Sequence, residues 1–192
     1  MARPPKAYVL GSLIELESCI GLRHSKCWNP ASKLQTSREL GAGLGQITKA
    51  YNPDGSIRFD ALTELKLKHP SELKELTWQN VFTRPDLQIK AVVLKSRDNY
   101  QFYYKGSVDS YNALAFGDAA YNGGIGGLNR DRVACRMSGK CNPDIWFGHV
   151  EKYCTKSKAI LYANRSACDI NRHHTYEVLK LRSDKYKIFW AQ

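Results

Sequence analysis

Lys6-Ala7-Tyr8-Val9-Leu10-Gly11-Ser12-Leu13-Ile14-Glu15-Leu16-Glu17-Ser18-Cys19-Ile20 is the stretch whose reading decides the class of fold. Val9, Leu10, Leu13, Ile14, Leu16 and Ile20 recur at helical spacing and Gly21 follows as a stop signal, so the segment is predicted to open a mainly α chain. Two glutamates lie on it. At about 100° per residue, Glu15 and Glu17 point in nearly opposite directions, so only one of them can face a cleft. The helical projection sets Glu17 among Leu10, Leu13 and Ile20, inside the apolar stripe, and Glu15 opposite it beside Gly11, Ser12 and Ser18. A carboxyl group surrounded by apolar side chains loses hydration, which favours its protonated form and suits it to general-acid chemistry. The competing reading is a glutamate at the rim of the stripe, paired with a Lys or Arg.

Outward from this helix, residues 21 to 36 are polar, with Cys27, Trp28 and Pro30, and read as a loop that Cys19 and Cys27 could pin at its base. Gly41-Ala42-Gly43-Leu44-Gly45-Gln46-Ile47 is too rich in glycine for a helix interior and suits a tight hairpin or turn. Asn52-Pro53-Asp54-Gly55 is a second turn. Helices are then predicted over Asp60 to Lys68, Ser71 to Val81 with Ser71 as N-cap, a long segment after Pro85, and Asp109 to Tyr121 ending at Gly123-Gly124. A glycine-rich, cysteine-bearing loop to about Pro143 and two helices, 144 to 163 and 173 to 190, complete the expectation. With 192 residues, one domain with one core is expected.

The chain carries 29 Lys and Arg against 18 Asp and Glu, a formal charge of +11, so its surface attracts polyanions through a long-range field. Nucleic acid, anionic lipid headgroups and the anionic polymers of bacterial envelopes all fit such a field, but the basic residues form no run of five or more. A dedicated nucleic-acid arm is therefore not expected. Six cysteines, at 19, 27, 135, 141, 154 and 168, fall into three sequence-near pairs. Disulfides, and with them an oxidising compartment, are the leading reading. The spacing lacks the close pairs of structural zinc sites, and six free thiols in a reducing cytosol remain the plain alternative. Met1-Ala2-Arg3-Pro4-Pro5-Lys6 is not followed by an uninterrupted apolar segment, so no signal peptide is expected, and no apolar stretch reaches transmembrane length.

Three short motifs occur in order: Glu17-Ser18 on a helix, Gly43-Leu44-Gly45-Gln46 on a glycine turn, and Ala119-Ala120-Tyr121-Asn122-Gly123-Gly124. Together they resemble the motifs of the soluble lytic transglycosylase and goose-type lysozyme families, over roughly residues 8 to 125. The resemblance implies a lysozyme-like α-helical domain with a small β-hairpin or glycine-rich turn beside a sugar-binding cleft. It implies Glu17 as the catalytic acid, with Ser18, Gly43, Gln46, Tyr121 and Asn122 contributing to substrate binding. His174-Thr175-Tyr176 is a loose echo of a family stretch whose tyrosine supports the catalytic glutamate, and Tyr176 is carried over on that basis. Gly45 departs from the family pattern, which commonly has Met there, so the groove wall is expected to be less bulky at this point.

The expected reaction is cleavage of peptidoglycan glycan strands. No motif marks a second carboxylate, which favours a transglycosylase that works with Glu17 alone. Glu39, Asp54 or Asp60 could still position a water and make the enzyme a hydrolase. No metal or cofactor is implied, the partner is the glycan strand, and a monomer is expected. The setting that fits is a phage-type lysin acting in the bacterial periplasm or cell wall, released through the inner membrane by another protein or carried on a virion. The rival of another class is an inert basic protein that keeps the groove only for glycan or polyanion binding. Glu17 discriminates the two, because a binding module has no need of a carboxyl group in an apolar stripe.

Three further clusters have competing readings. His173 and His174 beside Cys168 and Asp169 read as a helix start more readily than as a metal site. Tyr100, Phe102, Tyr103 and Tyr104 read as core packing more readily than as a sugar-stacking platform. Gly123-Gly124-Ile125-Gly126-Gly127 lacks the Lys-Ser or Lys-Thr of a phosphate-cradling loop.

Overall fold

In a computed structural model, which describes residues 5–19, 21–105, 108–162 and 164–190, the opening segment forms helix α1, Ala7–Ser18. Ile20, counted in that helix from the sequence, lies outside the described residues, as do Met1–Pro4 of the N-terminal segment and Ala163 at the end of one predicted helix. The chain divides into two compact units. The first is Leu10–Lys95, and the second joins the residues up to Val9 to those from Ser96 onward. About half of the chain is helical and the rest includes a small antiparallel sheet, so the class is mixed α and β, mainly helical.

In the first unit, β1 (Lys33–Gln35), β2 (Glu39–Ala42), β3 (Ile47–Tyr51) and β4 (Ile57–Asp60) form an antiparallel sheet in the order β1-β2-β3-β4. The glycine turn is a hairpin loop, with Ala42 paired to Ile47 across it, and Asn52–Gly55 turns the chain from β3 into β4. β1 lies in the segment read as a loop and β4 was not predicted, because both are short and mostly exposed, so neither shows the alternation that marks a half-buried strand. Asp60 ends β4 and caps α2 (Ala61–Lys68), accepting a hydrogen bond from the Thr63 N–H.

The helix predicted over Ser71–Val81 is absent; the segment is a series of tight turns. Leu73, Leu76 and Val81 are nonetheless fully buried, so the apolar spacing records burial in the core and not a helix face. Side chains take the backbone groups that a helix would use. The Lys66 ammonium donates to the carbonyls of Lys74 and Leu76, and Asn80 bonds the Thr77 N–H and the Glu75 carbonyl. These residues join Ala42, Ile47, Leu62, Leu65, Leu87 and Leu94 in one core, each large aliphatic side chain contributing about 1.5–3 kcal/mol. The long helix α3 runs Pro85–Tyr103, beginning on a proline whose fixed φ suits the first helical position.

In the second unit, α4 (Ser110–Gly123) is buried along most of its length, from Asn112 to Tyr121. Gly117 lets the Tyr100 backbone approach, since a Cβ there would lie 3.1 Å from the Tyr100 nitrogen. A helix, α5 (Ile125–Met137), stands where a glycine-rich loop was expected. Its glycines serve close approach: a Cβ at Gly127 would lie 2.5 Å from the Lys156 Nζ, which donates to the Gly123 carbonyl at 2.7 Å. The helix expected over 144–163 is replaced by a 3-10 turn, Val150–Lys152, and a hairpin of β5 (Ile160–Tyr162) and β6 (Arg165–Ser166). Here too side chains bind the backbone, Arg132 at the Pro143 carbonyl and Asp131 at the Thr155 N–H. The last helical stretch starts earlier than predicted, at α6 (Ala167–Tyr176), where Ser166 and Asp169 form a capping box. It continues through a π-helical segment, Glu177–Arg182, into α7 (Ser183–Lys187).

All six cysteines are paired, Cys19–Cys27, Cys135–Cys141 and Cys154–Cys168. Among the described residues no helix is long and apolar enough to cross a membrane. The intact mass under non-reducing conditions should fall about six hydrogens below the all-thiol mass. Replacing Cys154 and Cys168 by serine should lower the stability measured by urea unfolding by about 3 kcal/mol, the chain-entropy value for a loop of that size.

Candidate functional site

Helix α1 is enclosed around most of its circumference, and the face that carries small polar residues is the most tightly enclosed. Ser12, Glu15 and Ser18 are 0%, 1% and 3% exposed, whereas Leu10, Gly11, Leu16 and Glu17 keep part of their surface. The expectation that Glu15 lies away from the buried side is therefore corrected. Hydropathy ranks the Gly11, Ser12 and Ser18 side as the outer one, but small side chains let neighbouring chain pack closely against a helix, and that is the side most fully covered. Of the two glutamates, Glu17 is the one with an opening to solvent, so the expectation that Glu17 is the carboxyl enclosed by the apolar stripe is corrected with it.

Ser18 holds the loop that follows. Its hydroxyl donates to the Ile14 carbonyl at 2.7 Å and accepts from the Trp28 N–H at 3.1 Å, while the Cys19–Cys27 bridge closes the same loop. That hydroxyl is spent inside the protein, where Ser18 is 3% exposed. Further along, the Gly43 N–H donates to the Ser32 carbonyl at 2.8 Å. A connected path thus runs from the end of α1 through residues 27–32 to the glycine turn, bringing the neighbourhood of Glu17 and that of Gln46 into one bonded framework.

Gly43 has φ 70°, a left-handed conformation that favours glycine. It is also pressed by Gln88, because a Cβ on Gly43 would lie 2.3 Å from the Gln88 Oε1. Gln88 is fully buried on α3. Its Oε1 accepts from the Leu44 N–H at 2.8 Å, and its Nε2 donates to the Pro30 carbonyl at 2.9 Å and to the Val81 carbonyl. Gln46 closes the turn at φ 43°, with its Nε2 donating to the Gly43 carbonyl at 2.9 Å.

The other carboxylates near this turn are engaged elsewhere. Asp60 is desolvated, which by itself raises its pKa. The Thr63 N–H, the Trp78 indole N–H at 3.0 Å and Lys49 at 3.4 Å outweigh that and hold the carboxyl below its usual range. Asp54 is held low by the side-chain hydroxyl and the backbone N–H of Ser56. Lys95, on α3, is partly open along its length. Loss of water around its amine lowers the pKa to about 8, against the opposing pull of the Glu17 and Glu64 carboxylates. Glu17 and Lys95 thus lie within each other's electrostatic field.

The remaining candidates lie in the second unit. Tyr121 is 6% exposed, Asn122 is exposed, and Tyr176 is 46% exposed at the end of α6. Asn122 is held by Asn171, whose Nδ2 donates to the Asn122 Oδ1 at 3.1 Å and to the Ala119 carbonyl at 2.8 Å. Arg172 anchors Asn171 in turn at 2.7 Å and pairs with the fully buried Asp131 at 2.8 Å. No family model, no curated protein and no solved structure matches the chain. The functional reading rests on the residues themselves.

Two competing clusters resolve. Tyr100 and Tyr103 are buried, so of the aromatic group Phe102 and Tyr104 alone keep substantial surface. His174 pairs with Asp118 at 2.9 Å in a buried contact, Cys168 is in a disulfide, and among the described residues no group of three or more His, Cys, Asp or Glu side chains could hold a metal ion. Sequence reasoning missed Gln88, Asn171 and Arg172. For Gln88 the pattern pointed the other way: its neighbour Ile89 is 43% exposed while the glutamine is enclosed.

Because folding lowers the pKa of Lys95 from 10.5 to about 8, the unfolded chain binds more protons between those values, and stability rises with pH across that window. Below about pH 8 the penalty is present in full. The melting temperature of the wild type relative to Lys95→Met should rise from pH 8 to pH 10; a pH-independent difference would contradict this account.

Proposed function

We propose that the protein cleaves the β-1,4 bond between N-acetylmuramic acid and N-acetylglucosamine in peptidoglycan, as a lytic transglycosylase with Glu17 as its catalytic group. The observation that carries the reading is that Glu17 keeps an opening to solvent on a helix where Glu15 is enclosed, while its framework continues to the Gly43–Gln46 turn. Glu17 donates its proton to the glycosidic oxygen as the bond to C1 of the muramic acid breaks. As a carboxylate it then takes the proton of that sugar's C6 hydroxyl, whose oxygen attacks C1. The product is a 1,6-anhydro ring, and Glu17 is restored.

A single carboxyl group suffices for this route, whereas hydrolysis needs a second one across the cleft. Asp54 and Asp60 are poor candidates for that second role, because hydrogen bonds that hold a carboxylate at low pKa also make it a weak base. The chemistry requires neither metal nor cofactor. In this reading Gln46 contacts the glycan, and the net charge of +11 favours adsorption to an anionic envelope. A monomer acting in the periplasm or cell wall, as a phage lysin does, fits these properties.

Digestion of purified peptidoglycan, followed by mass spectrometry of the released muropeptides, tests the proposal. Wild type should release products lighter by one water than the hydrolysed forms. Glu17→Gln, which keeps size and shape, should fold with an unchanged melting temperature and lose activity by about a thousandfold or more. Reducing-end products would make the protein a muramidase, with Glu39 the first carboxylate to replace. Undiminished activity in Glu17→Gln would remove the assignment.

A further inference from the structure

Two main-chain bonds fix the backbone of Gln46 and one bond orients its side-chain amide. Its main-chain N–H donates to the Gly43 carbonyl at 3.2 Å and its Nε2 donates to that same oxygen at 2.9 Å. The Thr48 hydroxyl donates to the Gln46 main-chain carbonyl at 2.8 Å, and the residue is held at a left-handed φ of 43° that non-glycine residues rarely adopt. These bonds spend one N–H of the amide. The Oε1 accepts no hydrogen bond among the described residues, and the side chain is partly open to solvent. An oriented amide with an unused acceptor and one unused donor is suited to a polar group of a sugar.

Two residues that touch no ligand set this orientation. A Cβ on Gly41 would lie 2.5 Å from the Gln46 Oε1 and 3.4 Å from its Cδ, so the absent side chain at position 41 is the seat of the amide. The Gly43 carbonyl, which anchors the amide, is fixed from the other side by the buried Gln88 through its bond to the Leu44 N–H. We propose that Gly41 and Gln88 are positioning residues that seat the Gln46 amide for binding the glycan strand. This rests on the glycan-cleaving reading above.

Gly41→Ala is the decisive variant. Gly41 lies in β2 outside the left-handed region, so alanine is compatible with its backbone and strikes mainly the movable end of Gln46. Steady-state cleavage of soluble glycan strands would be measured for wild type, Gly41→Ala, Gln46→Ala and the double variant, alongside melting temperatures. Gly41→Ala and Gln46→Ala should each raise KM by about tenfold with a smaller change in kcat. The double variant should be no worse than Gln46→Ala alone, because the shortened side chain no longer meets the new methyl group. Gln88→Glu keeps the acceptor for Leu44 and loses two donors; it should raise KM further than Gly41→Ala and also lower the melting temperature.

Wild-type KM and kcat in Gly41→Ala, or effects of Gly41→Ala and Gln46→Ala that multiply in full, would overturn the positioning role while leaving the enzyme assignment in place. A wild type that releases no product would overturn the glycan reading and this proposal with it.

Discussion

Three backbone groups from segments far apart in the chain end on one buried amide, that of Gln88. The Leu44 N–H meets its oxygen, and the carbonyls of Pro30 and Val81 meet its nitrogen. The match is complete, because a primary amide has two N–H donors and here both find carbonyls. Turning the amide over would set N–H against N–H and oxygen against oxygen, so the network fixes which end is which. An apolar side chain of the same size would strand one donor and two acceptors in the interior, each costing about 1–3 kcal/mol. The glycine turn, the loop after α1 and the turns before α3 therefore share a single point of attachment, and Gly43 must be glycine both for its φ and because this amide lies against it.

The second unit solves the same problem with charge. Arg172 bonds the Asp131 carboxylate, the Asn171 amide oxygen and the carbonyls of Glu151 and Tyr153, and it lies 5.1 Å from the Trp146 ring centre. A guanidinium with all of its faces engaged tolerates burial that an unpaired cation would not. Through Asn171 this network reaches the Ala119 carbonyl and Asn122, so the Ala-Tyr-Asn segment is braced from behind as the glycine turn is. In both units a loop or helix end that carries exposed polar atoms is held by a buried polar side chain that never reaches the surface. Such satisfied networks give a unique arrangement, which apolar packing alone specifies less sharply.

Much of the fold was legible because local signals and burial agreed. The helix starts at Asp60 and Asp109, Pro85 at the start of α3 and the glycine hairpin all stand where the sequence pointed, since each depends on a backbone requirement of a few neighbouring residues, whereas Ser71, read as an N-cap, has no helix to cap. The failures have one cause. At or beside Ser71–Val81, 125–137 and 144–163 backbone groups are taken by side chains from outside the segment's own local pattern, Lys66 and Arg132 from nearby in the chain and Lys156 and Asp131 from farther away. Glycines that admit a lysine into the first turn of a helix look the same in sequence as glycines that open a loop.

The candidate site divides along the same line. The motif residues could be read, but the residues that hold them could not: Gln88 stands beside an exposed isoleucine, and Arg172 stands in an unremarkable polar run. Helix α1 shows how hydropathy and packing can rank the two faces of one helix differently. Hydropathy set Glu17 apart as the polar residue in an apolar stripe, yet it is Glu15 that the interior encloses, behind Ser12 and Ser18. Full enclosure denies Glu15 access to solvent, whereas Glu17, two residues on, keeps part of its surface, because the small side chains of Ser12 and Ser18 let the chain close over their side of the helix. The serine that follows Glu17 then has a physical role: by accepting from the Trp28 N–H, Ser18 fixes the loop that leads from the end of α1 to the glycine turn that Gln46 closes.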